Sequence, residues 1–198
     1  MNFFVENLPY ILAGISVGGQ YALIAIGYTM VYGILRLINF AHGDMFMLAG
    51  LTMVYLAADL PMTISIPLII LFTVILGCLI EKVAYAPLRS APRMSIMISA
   101  IGVSYLLQNA ALYITGGLTK TYPTIPWLAQ TVEIFGAHTK MVTIVTPFLT
   151  LALVIGLVML IKYTKIGMAM RAVSRDFETS KLMGIDINRV ITTTFIIG

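Results

Sequence analysis

The sequence predicts an all-α protein, a polytopic bundle of transmembrane helices. Of its 198 residues, 60% are hydrophobic and only 10% are charged, whereas a soluble domain carries about 25% charged residues. The mean hydropathy is +0.99. Four long runs contain no charge at all, at 7–35, 60–80, 94–119 and 141–161. Because about 20 apolar residues span a bilayer as a helix, these observations exclude a soluble enzyme, a nucleic-acid-binding module and a disordered tail.

Five apolar runs predict about five membrane spans. They lie at residues 8–35, 45–58, 64–80, 94–114 and 141–161. The run 45–58 has 14 residues, so it borrows residues from the polar segment 36–44, tilts little in the membrane, or forms a re-entrant half-helix. Residues 190–198 are too few to cross, and we expect them to start a sixth span in a single transmembrane domain, 1–198, truncated at its C-terminus. No positive region precedes the first run, which we therefore expect to stay as an uncleaved anchor.

The segments between the runs contain helix-breaking residues. Pro87 and Pro92 interrupt any helix in the linker 81–93, and the glycine pair 116–117 marks the end of the fourth run. Residues 118–140, rich in proline and polar residues, are expected to form a loop. The predicted spans are therefore separated by short, irregular connections.

Charge in these connections predicts the topology. The linker 81–93 has three basic residues against one acidic residue, and the segment 162–189 has six against three. Since Lys and Arg are retained on the cytoplasmic side, we expect both to be cytoplasmic, with the loop 118–140 and Asp59 outside. Five crossings then place the N-terminus outside, whereas a re-entrant run at 45–58 places it inside. The net charge of +4 thus reflects orientation, and we expect no nucleic-acid partner.

The sequence carries no catalytic or metal-binding constellation. His42 and His138 are 96 residues apart and Cys78 is the single cysteine, so no cluster has the spacing of a metal site. The segment 116–121 lacks the Gly directly before Lys that a phosphate-binding loop requires. We therefore expect no enzymatic activity and no cofactor, and an energy source that is either an ion gradient or a partner protein.

The polar segment before the second run contains the first candidate site. Asn39, His42 and Asp44 precede a short apolar run and could line a translocation pathway at a broken helix. The alternative is that Asp44 is an N-cap that accepts hydrogen bonds from the first backbone N–H groups of the helix. Both interpretations stay open.

A stripe of small residues lies on the first predicted helix. Gly14, Gly18 and Ala22 recur at four-residue spacing, which places them on one face. In lipid such a face allows the close approach of another helix. We expect this stripe to serve helix packing.

The segment 167–184 contains the second candidate site. Asp176 can cap a short helix, and Gly184 can end that helix in a left-handed conformation. Phe177, Leu182 and Met183 are apolar residues among charged neighbours, and we expect their side chains to be exposed. The segment is either a docking helix for a soluble partner or a solvated linker.

Several blocks of the sequence resemble the inner-membrane permeases of branched-chain amino acid ABC importers, most closely their smaller, LivH-type permease. The first block comprises residues 21–33 and 35–44 and ends in Asn39-Phe40-Ala41-His42-Gly43-Asp44. The other blocks are residues 81–89, 100–102 and 171–185. The last block is typical of permease loops that contact the ATPase. The resemblance extends over essentially the whole chain.

The resemblance implies a function and a set of partners. The chain would be one permease of an importer for Leu, Ile and Val, with a second permease, two cytoplasmic ATPase subunits that bind the ATP, and an extracytoplasmic binding protein, in a bacterial inner membrane. The coupling loop 162–189 would contact the ATPase. Its candidate residues are Arg171, Arg175, Asp176, Phe177, Glu178, Leu182, Met183 and Gly184.

Three alternatives remain. Related permeases share the early motifs, so the substrate could instead be urea, a short amide or another amino acid. The chain could also be an ion-coupled carrier that acts alone, although spans three to five contain no charged residue. The third alternative is a fragment that transports nothing.

Overall fold

The computed structural model describes residues 2–35, 38–89, 91–122, 125–134 and 137–198. It confirms the predicted helical bundle, with five helices long and apolar enough to cross a membrane. These are α1 (Asn2–Leu35), α2 (Ala41–Asp59), α3 (Met62–Ile80), α4 (Arg93–Thr115) and α5 (Met141–Tyr163). Many of their large apolar side chains, such as Ile70, Leu106 and Phe148, are exposed, as expected for helices whose solvent is lipid.

The length of helix α2 decides among the interpretations of the short apolar run. It has 19 residues and begins at Ala41, so it incorporates His42, Gly43 and Asp44 of the preceding polar segment into its first turn. This length reaches that of a complete span. The run therefore borrows residues from the preceding segment.

Helix α3 ends at Ile80 as predicted, but it is followed by two further helical turns that were not predicted. The chain continues past Ile80 as a π-helical turn, Glu81–Tyr85, and then as a 3₁₀ turn, Ala86–Leu88. Pro87 lies in the 3₁₀ turn and Pro92 directly precedes α4, which confirms that these prolines interrupt the linker. The π turn widens the helix by one residue per turn and marks functional segments in many proteins.

Glycine ends helix α4 as predicted. Gly116 has a φ of 64°, and the backbone N–H of Gly117 donates a hydrogen bond of 3.1 Å to the carbonyl of Leu112. Gly adopts this left-handed conformation at no steric cost because it has no Cβ.

The expected loop 118–140 contains a small antiparallel hairpin that the sequence analysis missed. Strand β1 (Thr131–Ile134) pairs with β2 (Ala137–Lys140), and Thr131 lies opposite Lys140. β-Branched residues favour such strands, but four residues are too few to give a clear alternation. Pro123 and Gly136, two turn-forming residues of the predicted loop, lie outside the described residues.

The chain divides into two compact units. One comprises Met1–Ile26 and Thr124–Met168, and the other comprises Gly27–Pro123 and Ala169–Gly198. In the first unit, α1 approaches α5 at Gly19, where a Cβ would lie 3.3 Å from Cγ2 of Thr150. That a single domain spans 1–198 stays a prediction.

The second unit contains the larger apolar core. Val31, Met45, Ile80, Val173 and Ile191 are all buried in it. Three further helices follow α5 in the chain, namely α6 (Lys165–Arg175), α7 (Phe177–Leu182) and α8 (Ile187–Ile197). The residues Val173 and Ile191 anchor α6 and α8 to the core.

Helix α8 packs closely because two of its neighbours are glycines. A Cβ at Gly27 of α1 would lie 2.5 Å from the carbonyl oxygen of Gly198. A Cβ at Gly77 of α3 would lie 3.3 Å from the carbonyl oxygen of Phe195. Larger side chains at either position would force α8 outward.

Candidate functional site

Asn39 organises the beginning of α2. Its side chain is buried, and its Oδ1 accepts hydrogen bonds from the backbone N–H of Ala41 (3.1 Å) and from the hydroxyl of Tyr85 (2.7 Å). Asn39 therefore satisfies the first N–H group of α2 and ties it to the π turn after α3. The alternative that Asp44 caps this helix is wrong, because the helix begins three residues before Asp44.

Asp44 instead contacts the middle of α4. The residue is only 8% exposed, and its Oδ1 accepts a 3.0 Å hydrogen bond from Nε2 of Gln108. Among the described residues, its Oδ2 has no hydrogen-bond partner. Helix α4 ends at Thr115. At a rise of about 1.5 Å per residue, Gln108 lies about 10 Å from this end along the helix axis. A buried acidic group in the first turn of α2 therefore contacts α4 about two turns from its end, and acidic groups among apolar helices are costly and usually functional.

His42 contacts a third element. Its ring lies edge-on to the ring of Tyr28 in α1, with the centroids 6.0 Å apart. The three predicted pathway residues thus contact three different parts of the same unit: Asn39 the π turn, His42 the helix α1, and Asp44 the helix α4. Arg36 and Leu37 of the recognised block lie outside the described residues.

A cleft lies beside this junction, between α2 and α4. Its volume is about 420 Å³. Gln108 lies at one end, and Lys120 and Tyr122 of the following loop lie at the other. The walls are mainly aliphatic, with Leu51 and Leu112 on opposite sides. From the sequence alone, Gln108 is not assigned to a site, because it and the adjacent amide Asn109 form no recognisable motif in an apolar run.

A buried ion pair at the end of α3 was also missed. Glu81 is only 1% exposed, and its carboxylate pairs with the guanidinium of Arg89. Its other oxygen accepts a 3.1 Å hydrogen bond from the hydroxyl of Thr192 in α8, and Arg89 also donates to Asn188. From the sequence alone, the charges of this linker predict only the topology. One signal of the ion pair is present in the sequence. An acidic residue directly follows an apolar run, and a basic residue follows eight positions later.

The coupling loop has the predicted local structure. Oδ1 of Asp176 accepts hydrogen bonds from the backbone N–H groups of Glu178 (2.9 Å) and Thr179 (3.2 Å), so Asp176 caps α7. Gly184 has a φ of 82° and follows the end of α7 in the left-handed conformation. Both features confirm the predicted cap-to-glycine helix.

The exposed apolar residues of this loop differ partly from the prediction. Leu182 and Met183 are 87% and 78% exposed. Phe177, in contrast, is half-buried and packs against the apolar core, so the expectation that it is exposed is wrong. Charged residues surround the exposed pair: Arg171, Arg175, Glu178 and Lys181 are exposed.

The small-residue stripe of α1 does not contact another helix among the described residues. Gly14, Gly18 and Ala22 are exposed, and no described atom of another segment lies within 4 Å of a Cβ built at either glycine. The close approaches of α1 occur at Gly19 and Gly27 instead. The packing role of the stripe therefore stays a prediction.

Comparison with known proteins agrees with this architecture. Residues 10–198 match the family model described as the permease component of branched-chain amino acid transport systems. The high-affinity branched-chain amino acid permease protein LivH of Salmonella typhimurium is 35% identical, over 98% of this chain and 68% of its own length. The corresponding protein BraD of Pseudomonas aeruginosa is 37% identical, over 96% of this chain and 66% of its own length. A probable permease LivH of Methanocaldococcus jannaschii is 27% identical over 89% of this chain.

No solved structure matches the chain. The family model and the bacterial relatives nevertheless cover nearly every residue, including α2, the π turn and the coupling loop. The chain is therefore a multi-pass membrane protein that belongs to the family of permease components of branched-chain amino acid transport systems.

Proposed function

We propose that this chain is a permease subunit of an ABC importer for leucine, isoleucine and valine in a bacterial inner membrane. The observation that carries the proposal is the match, over 98% of the chain, to permeases named for high-affinity branched-chain amino acid transport. A second permease would complete the channel, and an extracytoplasmic binding protein would deliver the substrate. Partner ATPases would supply the energy, since the sequence has no phosphate-binding loop.

The coupling loop is the surface that the ATPases would contact. Leu182 and Met183 expose apolar side chains on a segment that also carries exposed charges. A soluble partner would cover the apolar pair and complement the surrounding charges, which is the usual composition of a non-obligate interface. ATP-driven movement of the partner would then act on α7, which contacts α8, and α8 packs on the membrane helix α3.

Asn39, His42 and Asp44 are proposed to lie along the translocation pathway. Each contacts a different element of the same unit, so a movement between these elements would change their hydrogen bonds. Polar side chains at membrane depth usually face a pathway or another helix rather than lipid. Charge in the connections orients this pathway, with the linker 81–93 in the cytoplasm and the N-terminus outside.

Transport by the complete importer tests the proposal. The chain would be co-expressed with the ATPases, the second permease and the binding protein from its own genome, and the complex reconstituted into liposomes. We expect ATP-dependent uptake of radiolabelled leucine that isoleucine and valine compete with. Competition by urea or acetamide instead would identify a related importer, and uptake driven by an ion gradient without ATP would contradict the proposal.

A further inference from the structure

We infer that the cleft between α2 and α4 is a substrate-binding site, in which the carboxylate of Asp44 binds the α-ammonium group of an aliphatic amino acid. The inference deepens the proposed function and rests on it. It places a binding site for the substrate in this chain, in addition to the site in the binding protein that would deliver it.

The size and walls of the cleft fit such a ligand. Its volume of about 420 Å³ lies within the range of about 300–1,000 Å³ that is usual for small-molecule sites. Leu51 and Val54 of α2 face Leu112 of α4 across the cleft. A branched aliphatic side chain therefore finds apolar surface on both sides, while a urea or acetamide molecule would leave these walls uncovered.

Directly behind Gln108, which lines one end of the cleft, lies the buried carboxylate of Asp44, an acidic group with unused hydrogen-bonding capacity. Gln108 lines the cleft and donates its amide to Oδ1 of Asp44. Within the described residues, Oδ2 of this buried carboxylate has no hydrogen-bond partner. A buried carboxylate requires compensation by hydrogen bonds or an opposite charge. An ammonium group has three N–H donors and a positive charge, so it can replace the Gln108 amide on Asp44 and bind the second oxygen as well.

The other end of the cleft carries the opposite charge. Lys120 lines the cleft, and its Nζ lies 5.8 Å from the centroid of the Tyr55 ring. The hydroxyl of Tyr55 donates a 3.3 Å hydrogen bond to the carbonyl of Ile114, which holds this ring against the end of α4. A cation at the mouth attracts the carboxylate of an arriving amino acid. Because the loop 118–140 is predicted to lie outside, the mouth opens toward the side from which substrate arrives.

Thiol protection tests the inference directly. In the reconstituted importer with Cys78→Ala, Gly50→Cys places a thiol on the cleft wall, where a Cβ at Gly50 meets no atom within 4 Å. We expect leucine to slow the reaction of this thiol with a maleimide several-fold. 4-Methylpentanoate, which lacks the ammonium group, should not protect. Gln130→Cys in the exposed outer loop should react at the same rate with and without leucine.

Two variants test the roles of the charge and of the space. Asp44→Asn should weaken leucine protection of the Gly50→Cys thiol about tenfold or more, because a charge-assisted hydrogen bond is lost. Leu51→Trp should fill the cleft and abolish protection without removing the charge. Asp59→Asn, an exposed acidic residue at the far end of the same helix, is the matched control and should bind leucine normally.

The outcomes separate the inference from the proposed function. Leucine uptake by the parent complex without any protection at position 50 would overturn the inference and leave the function intact. If lipid in nanodiscs protects the Gly50→Cys thiol from the maleimide and leucine has no effect on this protection, the inference is also overturned. The cleft would then be a lipid site. Failure of the parent complex to take up leucine would contradict the proposed function itself.

Discussion

The carboxylate of Glu81 pairs with the guanidinium of Arg89 across the π turn that follows α3. The same two side chains also bind α8, through Thr192 and Asn188. Arg89 is partly exposed, whereas Glu81 is almost completely buried. The ion pair therefore fastens two segments that lie more than one hundred residues apart in the chain, at the end of α3 that is predicted to face the cytoplasm.

Removing the charge of Glu81 is expected to destabilise the fold. Glu81→Gln leaves the guanidinium of Arg89 without its carboxylate, and breaking a buried ion pair usually costs about 3–5 kcal/mol. Thermal unfolding of the purified protein in detergent measures the loss. Arg189→Ala is the control, because Arg189 and Asp186 form an exposed pair, which contributes about 0–1 kcal/mol. Equal melting temperatures for the two variants would contradict this prediction.

Two glycines of α1 are expected to respond differently to the same substitution. Gly27→Ala places a methyl group against the carbonyl of Gly198, and such overpacking costs about 1–3 kcal/mol. Gly14→Ala meets no atom of the described chain within 4 Å and should leave the melting temperature unchanged. If the stripe packs against the second permease, Gly14→Leu should lower co-purification of that subunit. Equal destabilisation by both alanines would refute the packing of α8 on Gly27.

The exposed pair of the coupling loop is expected to bind the ATPase. Leu182→Glu combined with Met183→Glu places two charges in the proposed interface, where desolvating them is costly. We expect membrane levels to stay normal while co-purification of the ATPase and leucine uptake fall at least about tenfold, as for the loss of an interface hot spot. Trp127→Glu makes the same kind of change in the outer loop, and it should leave ATPase binding unchanged. Normal ATPase binding by the double variant would eliminate this surface.

Gly184 is expected to tolerate asparagine better than valine. Its φ of 82° is unfavourable for a β-branched residue by about 1–2 kcal/mol, whereas Asn adopts such conformations more readily. Gly184→Val should therefore reduce ATPase-coupled uptake and increase proteolysis of the loop, and Gly184→Asn should retain most activity. Equal activity of the two variants would show that backbone conformation at this position is unimportant for coupling.

Cysteine labelling in intact cells checks the topology. With Cys78→Ala as background, Lys82→Cys and Arg171→Cys should be shielded from an impermeant thiol reagent, because both positions lie in connections with excess positive charge. Gln130→Cys should react. All three residues are exposed in the structure, so burial does not confound the comparison. Labelling of position 82 or 171 from outside would reverse the orientation.

The positions of the helices followed from local properties of the chain. Hydropathy and run length predicted α1, α3, α4 and α5 to within a few residues at most boundaries, because the cost of placing backbone and charge in lipid depends mainly on the segment itself. The residues that begin and end helices could also be predicted from the local sequence. Asp176 and Gly116 act on groups within a few residues of themselves, so their roles could be predicted from spacing.

The roles that depend on distant partners could not be predicted in this way. Asp44 meets Gln108, which lies 64 residues away, and no periodicity in the sequence connects the two. Phe177 and Leu182 are both apolar residues of one short helix, yet only the packing of α7 against the core decides which of them is buried. The residue at which α2 begins could not be predicted for a related reason. Asn39 precedes this helix, and its side chain is bound by Tyr85, which lies 46 residues away in the chain.

By itself, therefore, the sequence determined the membrane class, the spans, the predicted orientation and, through its motifs, the family. Each of these follows from the free energy of transferring a local segment into lipid or from a contiguous block of residues. Only the tertiary structure decided that Asp44 and Gln108 meet beside an apolar cleft and that Glu81 is paired rather than exposed. Such juxtapositions depend on how helices pack, and packing is a property of pairs of segments that local hydropathy does not contain.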